Sequence, residues 1–172
     1  MSFDLRILDG DDGLTAIGTT LATAGAGGLD GIGPSTTRFE ELLRVPMAPY
    51  QQVAGEQKSG IVAEVWLPLE FEGVLTVPEV PGISRPEVTL ASSIEVVRQQ
   101  ESIAEVIGLP LASVPAVEPD SYVLNGWHAS LTPSVDPAAS LWERDPDVAF
   151  YVALFWSAAR FSIEHRTPIA YA

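Results

Sequence analysis

The chain has 172 residues, and nine basic against 23 acidic side chains leave a formal net charge of −14. Such an excess of carboxylates repels phosphate backbones and anionic lipid, so nucleic acid and membrane surfaces are excluded as expected partners. The absence of cysteine removes disulfides, thiolate catalysis and zinc–thiolate sites together.

A chain of this length buries about 70% of its unfolded surface and needs no metal or disulfide to fold. Residues 1–172 are therefore expected to form one domain. The opening run, MSFDLRILDGDDG, has an aspartate where a signal peptide carries basic residues. The most apolar run is shorter than the ~18 residues a bilayer crossing takes. A soluble, cytoplasmic protein is the expectation. Residues 61–125 hold ten acids against Arg85 and Arg98 alone, and Lys58 is the only lysine beside eight arginines. A surface of this kind speeds encounter with a basic partner, and it also serves solubility.

Taken in order, SFDLRIL alternates Phe3, Leu5 and Ile7 against Asp4 and Arg6, a half-buried strand. DGDDG then turns the chain and caps a helix beginning near Leu14, with Leu14, Ile17 and Leu21 on one face. The helix should fade into the glycine-rich run at 24–33. Thr37 and Glu40 have capping-box spacing before a short helix that Pro46 stops. IVAEVWLPLEFEG alternates Ile61, Ala63, Val65, Leu67, Leu69 and Phe71 against Glu64, Trp66, Glu70 and Glu72. Pro68 marks this strand as an edge or a bulge.

GVLTV and EVTLA read as further strands around a proline-bearing loop, neighbours in an antiparallel sheet. Ser92 and Glu95 open a helix through Ile94, Val97, Ile103, Val106 and Ile107, closed by Gly108 and Pro110. ASVPAVEPDS is loop. In YVLNGWHASL the Asn-Gly pair between apolar flanks is a type I′ hairpin signal. Asp145, Pro146 and Asp147 open a last helix expected to run to about Arg166, before IAYA as a terminal strand. Val148, Tyr151, Val152, Phe155 and Ala159 share one face of it, and Phe150, Leu154 and Phe161 another. A helix apolar nearly all round belongs in the core. The fold expected is α+β: an antiparallel sheet of about five strands packed by three or four helices, the C-terminal one central.

Motifs that carry chemistry fail on spacing. GAGGLDGIG has Asp30 where a dinucleotide loop needs its third glycine, and it follows a helix rather than a strand. GEQKSG has Gln57 where a P-loop needs glycine. DGDDG puts Leu14 and Thr20 at the glycine and glutamate positions of a calcium loop, and no metal site or cofactor is expected. Ser84 lacks the second glycine of a nucleophile elbow.

Two histidines remain. His165 sits in the last turn of the C-terminal helix, where the dipole favours it. His128, beside Trp127, is the better base for an assembled triad, with Asp120 or Asp136 to orient it. Glu64, Glu70 and Glu72 alternate with an apolar face, which makes them a solvated or partner-binding patch around an exposed Trp66. The function expected is a non-enzymatic acidic domain that binds a basic protein, as an immunity-like or antitoxin-like inhibitor does, through Glu64, Trp66, Glu70 and Glu72. The alternatives are a small-molecule binder or hydrolase with a pocket at Trp127 and His128, or a structural subunit of a larger assembly.

Overall fold

Caps and apolar periodicity set most element boundaries. A computed structural model describes residues 11–33, 45–55, 63–78, 87–116 and 122–170. In chain order these form α1 (Asp11–Thr23), α2 (Ala48–Ala54), β1 (Val65–Leu67), β2 (Val74–Pro78) and β3 (Glu87–Ser92). Then come α3 (Ser93–Ile107), a 3-10 turn (Leu111–Ser113), α4 (Tyr122–Ser130), α5 (Leu141–Arg144), α6 (Pro146–His165) and β4 (Ile169–Ala170). The strand expected around Phe3 and the helix expected after Thr37 lie outside the described residues.

The fold is α+β, but the sheet differs from expectation. Among the described residues it has three strands of three to six residues plus the two-residue β4, in the order β2–β3–β1–β4, with six α-helices rather than three or four. Nor is it wholly antiparallel. β2 and β4 run antiparallel to their neighbours, while the central pair β1–β3 is parallel, with Val65 opposite Leu90 and Leu67 opposite Ser92.

The long strand expected across residues 61–73 shrinks to Val65–Leu67 because Pro68 has no N–H to continue the ladder. β1 is an internal strand all the same, since β3 and β4 flank it. The link from β1 to β2 rounds the C-terminal end of β3, where the Ser92 hydroxyl donates to the Leu69 carbonyl at 2.6 Å. The same hydroxyl accepts from the Glu95 N–H and caps α3, and Gly108 ends that helix with φ +74°. One buried serine thus fixes both a loop and a helix start.

Both faces of the sheet are covered. On one, Ile17 and Leu21 of α1 pack with Val65, Leu67, Val77, Val88 and Leu90. On the other, Trp66 and Ala91 join the larger core around α6. All three residues of β1 are buried, which suits the centre of a sheet with a parallel pair. α6 behaves as its composition requires. Asp145 caps it through the Asp147 N–H, Arg166 closes it at φ 51°, and 13 of its 20 residues are buried. Tyr50, Trp66, Tyr151 and Phe155 interlock around it, with ring centroids 5.4–5.8 Å apart.

The expected hairpin at Asn125-Gly126 is a helix instead. Leu124, Trp127 and His128 fall at i, i+3 and i+4, with Leu124 fully buried, so α4 covers core with one face. Gly126 takes no positive φ there. Burial on a helical period outweighed a two-residue turn signal.

Candidate functional site

The four residues expected to form an acidic face are dispersed. Trp66 is only 1% exposed, edge-on to Phe155 at 5.8 Å, so it cannot serve as a surface anchor. The alternation that placed it outward assumed a solvated sheet face, and α6 covers that face. Glu64 is half-buried and accepts from the Thr89 backbone N–H at 3.1 Å, which ties the approach to β1 onto β3. Glu70 and Glu72 follow the end of β1 and are exposed. Glu70 pairs with Arg98 of α3 at 2.9 Å, and Glu95 pairs with the same guanidinium. Both contacts raise the pKa of Arg98, the hydrogen bond with Glu70 being the largest single cause.

Trp127 and His128 sit half-buried on α4. His128 Nε2 lies 2.9 Å from Asp147 Oδ1 in the first turn of α6, and its ring meets Phe150 edge-on at 5.1 Å. The carboxylate that orients it is therefore Asp147, whose role the sequence disguised as a helix-dipole residue. Asp136 is exposed and accepts from the Ala138 N–H instead, and Asp120 lies outside the described residues. Tyr151 stands nearby; burial first, and then the Asp147 charge, raise its pKa, and its hydroxyl donates to the Val45 carbonyl at 2.6 Å. His128 has a carboxylate partner. It lines neither the groove along α6 nor the depression between α1 and β2.

The first depression runs along the outer side of α6. Trp156, Arg160 and Glu164 recur at i, i+4 and i+8, which places them in one stripe on the helix. With Phe161, Pro115 and Ala116 they line a groove of about 370 Å³ including its open mouth. Trp156 is half-buried against the core, and its indole N–H donates to Glu101 Oε1 of α3 at 3.4 Å. Arg160 lies over the ring with its guanidinium carbon 4.8 Å from the centroid, and it pairs with Glu164 at 2.6 Å.

α3 and α6 are antiparallel neighbours, joined at one end by the buried Ser93–Ser162 hydroxyl bond of 2.7 Å and further along by Glu101 and Trp156. The exposed side of α3 continues through Arg98 to Glu70 and, in the other direction, to Glu105 and to Val106, which is 71% exposed. One continuous surface therefore carries Glu70, Glu95, Glu101, Glu105 and Glu164 against Arg98 and Arg160, with Trp156 set among them. Sequence reasoning missed Trp156. The signal was its i+4 spacing from Arg160, the charge that interrupts the apolar run.

The second depression, about 690 Å³, lies between α1 and β2. Its Thr19, Thr20 and Thr23 hydroxyls donate back to the carbonyls four residues earlier, so they are committed within the helix. The glycine-rich run is no phosphate cradle either. Its Asp30 and Gly31 carbonyls accept from the Arg166 guanidinium at 3.1 Å, and the Gly33 N–H donates to the Arg166 carbonyl at 2.7 Å. Among the described residues no three histidine, aspartate or glutamate side chains group as a metal ion requires, and no helix is long and apolar enough to cross a membrane. Comparison with protein-family models, with curated proteins and with solved structures finds no match to this chain.

Proposed function

We propose that this chain is a non-enzymatic binding domain whose acidic α3–α6 surface docks a basic protein, in the manner of an immunity-like or antitoxin-like inhibitor. The observation that carries this reading is Trp156. It is a half-buried tryptophan, packed on the core, set in a surface of five carboxylates and two guanidinium groups. Binding hot spots favour a tryptophan surrounded by polar contacts that exclude water. The surplus carboxylates add long-range attraction, which raises association rates and penalises acidic competitors. Glu70 and Glu72 belong to the same proposal as its outer margin, and Trp66 leaves it.

The test is capture from the native host at low and high salt, with the wild type beside a Trp156→Ala, Glu101→Gln, Glu105→Gln variant. The expected result is a basic protein held at low salt, released at high salt and absent from the variant. A partner that the variant retains with unchanged salt dependence contradicts the assignment.

A second reading rests on the contact between His128 and Asp147. A histidine oriented by a carboxylate is the base of many hydrolases, though the base also needs a nucleophile and a substrate cavity beside it. Turnover of a small molecule that disappears in His128→Ala, in a variant that still folds, favours this reading over the first.

A further inference from the structure

The indole of Trp156 already holds a cation, and the cation belongs to the chain itself. Arg160 lies over the ring at 4.8 Å and is anchored at its far side by Glu164 at 2.6 Å. Arg160 and Glu164 are about half-exposed, with side-chain exposures of 48% and 55%. The groove beside them is open to solvent and floored by Phe161, Pro115 and Ala116. The ring packs on the core and its N–H donates to Glu101 of the opposite helix at 3.4 Å, so it stays in place if Arg160 leaves. A planar guanidinium on an aromatic face next to a carboxylate is the arrangement by which proteins select arginine over lysine.

We infer that Trp156, Glu164 and Glu101 form an arginine-recognition site that Arg160 occupies as a placeholder, and that an arginine of the basic partner displaces it. This rests on the acidic-surface reading above and narrows it to one side chain. Charge complementarity selects the occupant. Among the described residues Glu105 has no ion-pair partner and Glu101 no cationic one, its polar contact being the neutral indole, so the surface gains by receiving a cation from outside. Exchange of Arg160 for an incoming arginine preserves the contact on the ring and adds a positive charge to this acidic surface. Arg160 then swings to solvent on a flexible stem.

The test uses the full chain and an arginine-bearing pentapeptide, with its lysine and citrulline counterparts. Binding is read at low salt from the indole N–H resonance of Trp156, identified by its loss in Trp156→Phe. The arginine peptide is expected to shift that resonance saturably, the lysine peptide less and the neutral citrulline peptide not at all. Arg160→Lys keeps the charge but weakens the internal competitor, so it should bind the arginine peptide about two- to fivefold more tightly. Arg98→Lys, on the same surface but away from the ring, should leave affinity unchanged.

Unchanged or weaker binding by Arg160→Lys overturns the placeholder. Equal shifts with arginine and lysine peptides overturn the arginine site and leave the acidic-surface reading standing. No shift with any cationic peptide overturns both.

Discussion

Two tryptophans separate structure from function at the level of single residues. Trp66 is buried against Phe155, and Trp156 is half-buried beside Arg160 and Glu101. Trp66→Ala is expected to destabilise the fold by about 3–5 kcal/mol, because it removes a large ring from a packed core. Trp156→Ala, which removes a half-buried ring, should cost less, about 1–2 kcal/mol, with a larger loss falling on binding. Urea denaturation of both variants checks the pair; equal losses of stability contradict the assignment of Trp156 to a working surface.

Two glycines give a second contrast. Gly126 lies mid-helix, where an added Cβ meets nothing within 4 Å, so Gly126→Ala should stabilise by about 1 kcal/mol. At Gly108 the φ of +74° and a Cβ that would sit 2.9 Å from Ser140 reverse the sign, and alanine there should cost about 1–2 kcal/mol. Thermal melts of the two variants are expected to move in opposite directions.

Elements were legible where local rules and tertiary packing agree. Ser92 with Glu95, Gly108 at the end of α3, and Asp145-Pro146 opening α6 are local capping signals, and the structure uses each of them. Asn125-Gly126 is a local signal that failed, because the face of Leu124 had core to cover. β1 failed for a different reason. Alternation at Glu64, Trp66, Glu70 and Glu72 says which residues share a face, but whether α6 lies over that face is a tertiary fact.

Contacts between elements were invisible for the same reason. Tyr50 of α2 donates to Gln100 Oε1 of α3 at 3.1 Å in the core, and Gln100 Nε2 has no acceptor among the described residues. Burial raises the pKa of Tyr50 well above its ordinary value, so its hydroxyl stays protonated and a donor. Tyr50→Phe leaves the whole Gln100 amide unpaired and should cost about 1–3 kcal/mol. Adding Gln100→Leu removes both orphaned groups, and the double variant should be at least as stable as the wild type. A double variant less stable than Tyr50→Phe contradicts this account of the α2–α3 contact.

Over the whole molecule, the net charge names a quality of the surface and not its location. A formal charge of −14 is spread over a chain whose arginines Arg98 and Arg160 are already paired with glutamates. The candidate surface arises only because α3 and α6 pack antiparallel and bring Glu101 to Trp156, residues 55 positions apart. Nothing in the local sequence of either helix specifies that meeting.

The same separation divides the kinetics of binding. Rim carboxylates act at a distance and set the association rate, while a buried anchor acts after contact and sets dissociation. The decisive measurement is therefore the association and dissociation rates of the captured basic partner, taken across a range of ionic strength. Glu72→Gln with Glu105→Gln, both exposed and away from the ring, should slow association and flatten its salt dependence; Trp156→Ala should leave association nearly unchanged and speed dissociation by tenfold or so, as loss of an anchor worth over ~1.4 kcal/mol requires. If Trp156→Ala dissociates at the wild-type rate, the partner docks elsewhere and the α3–α6 surface is only a solvated face.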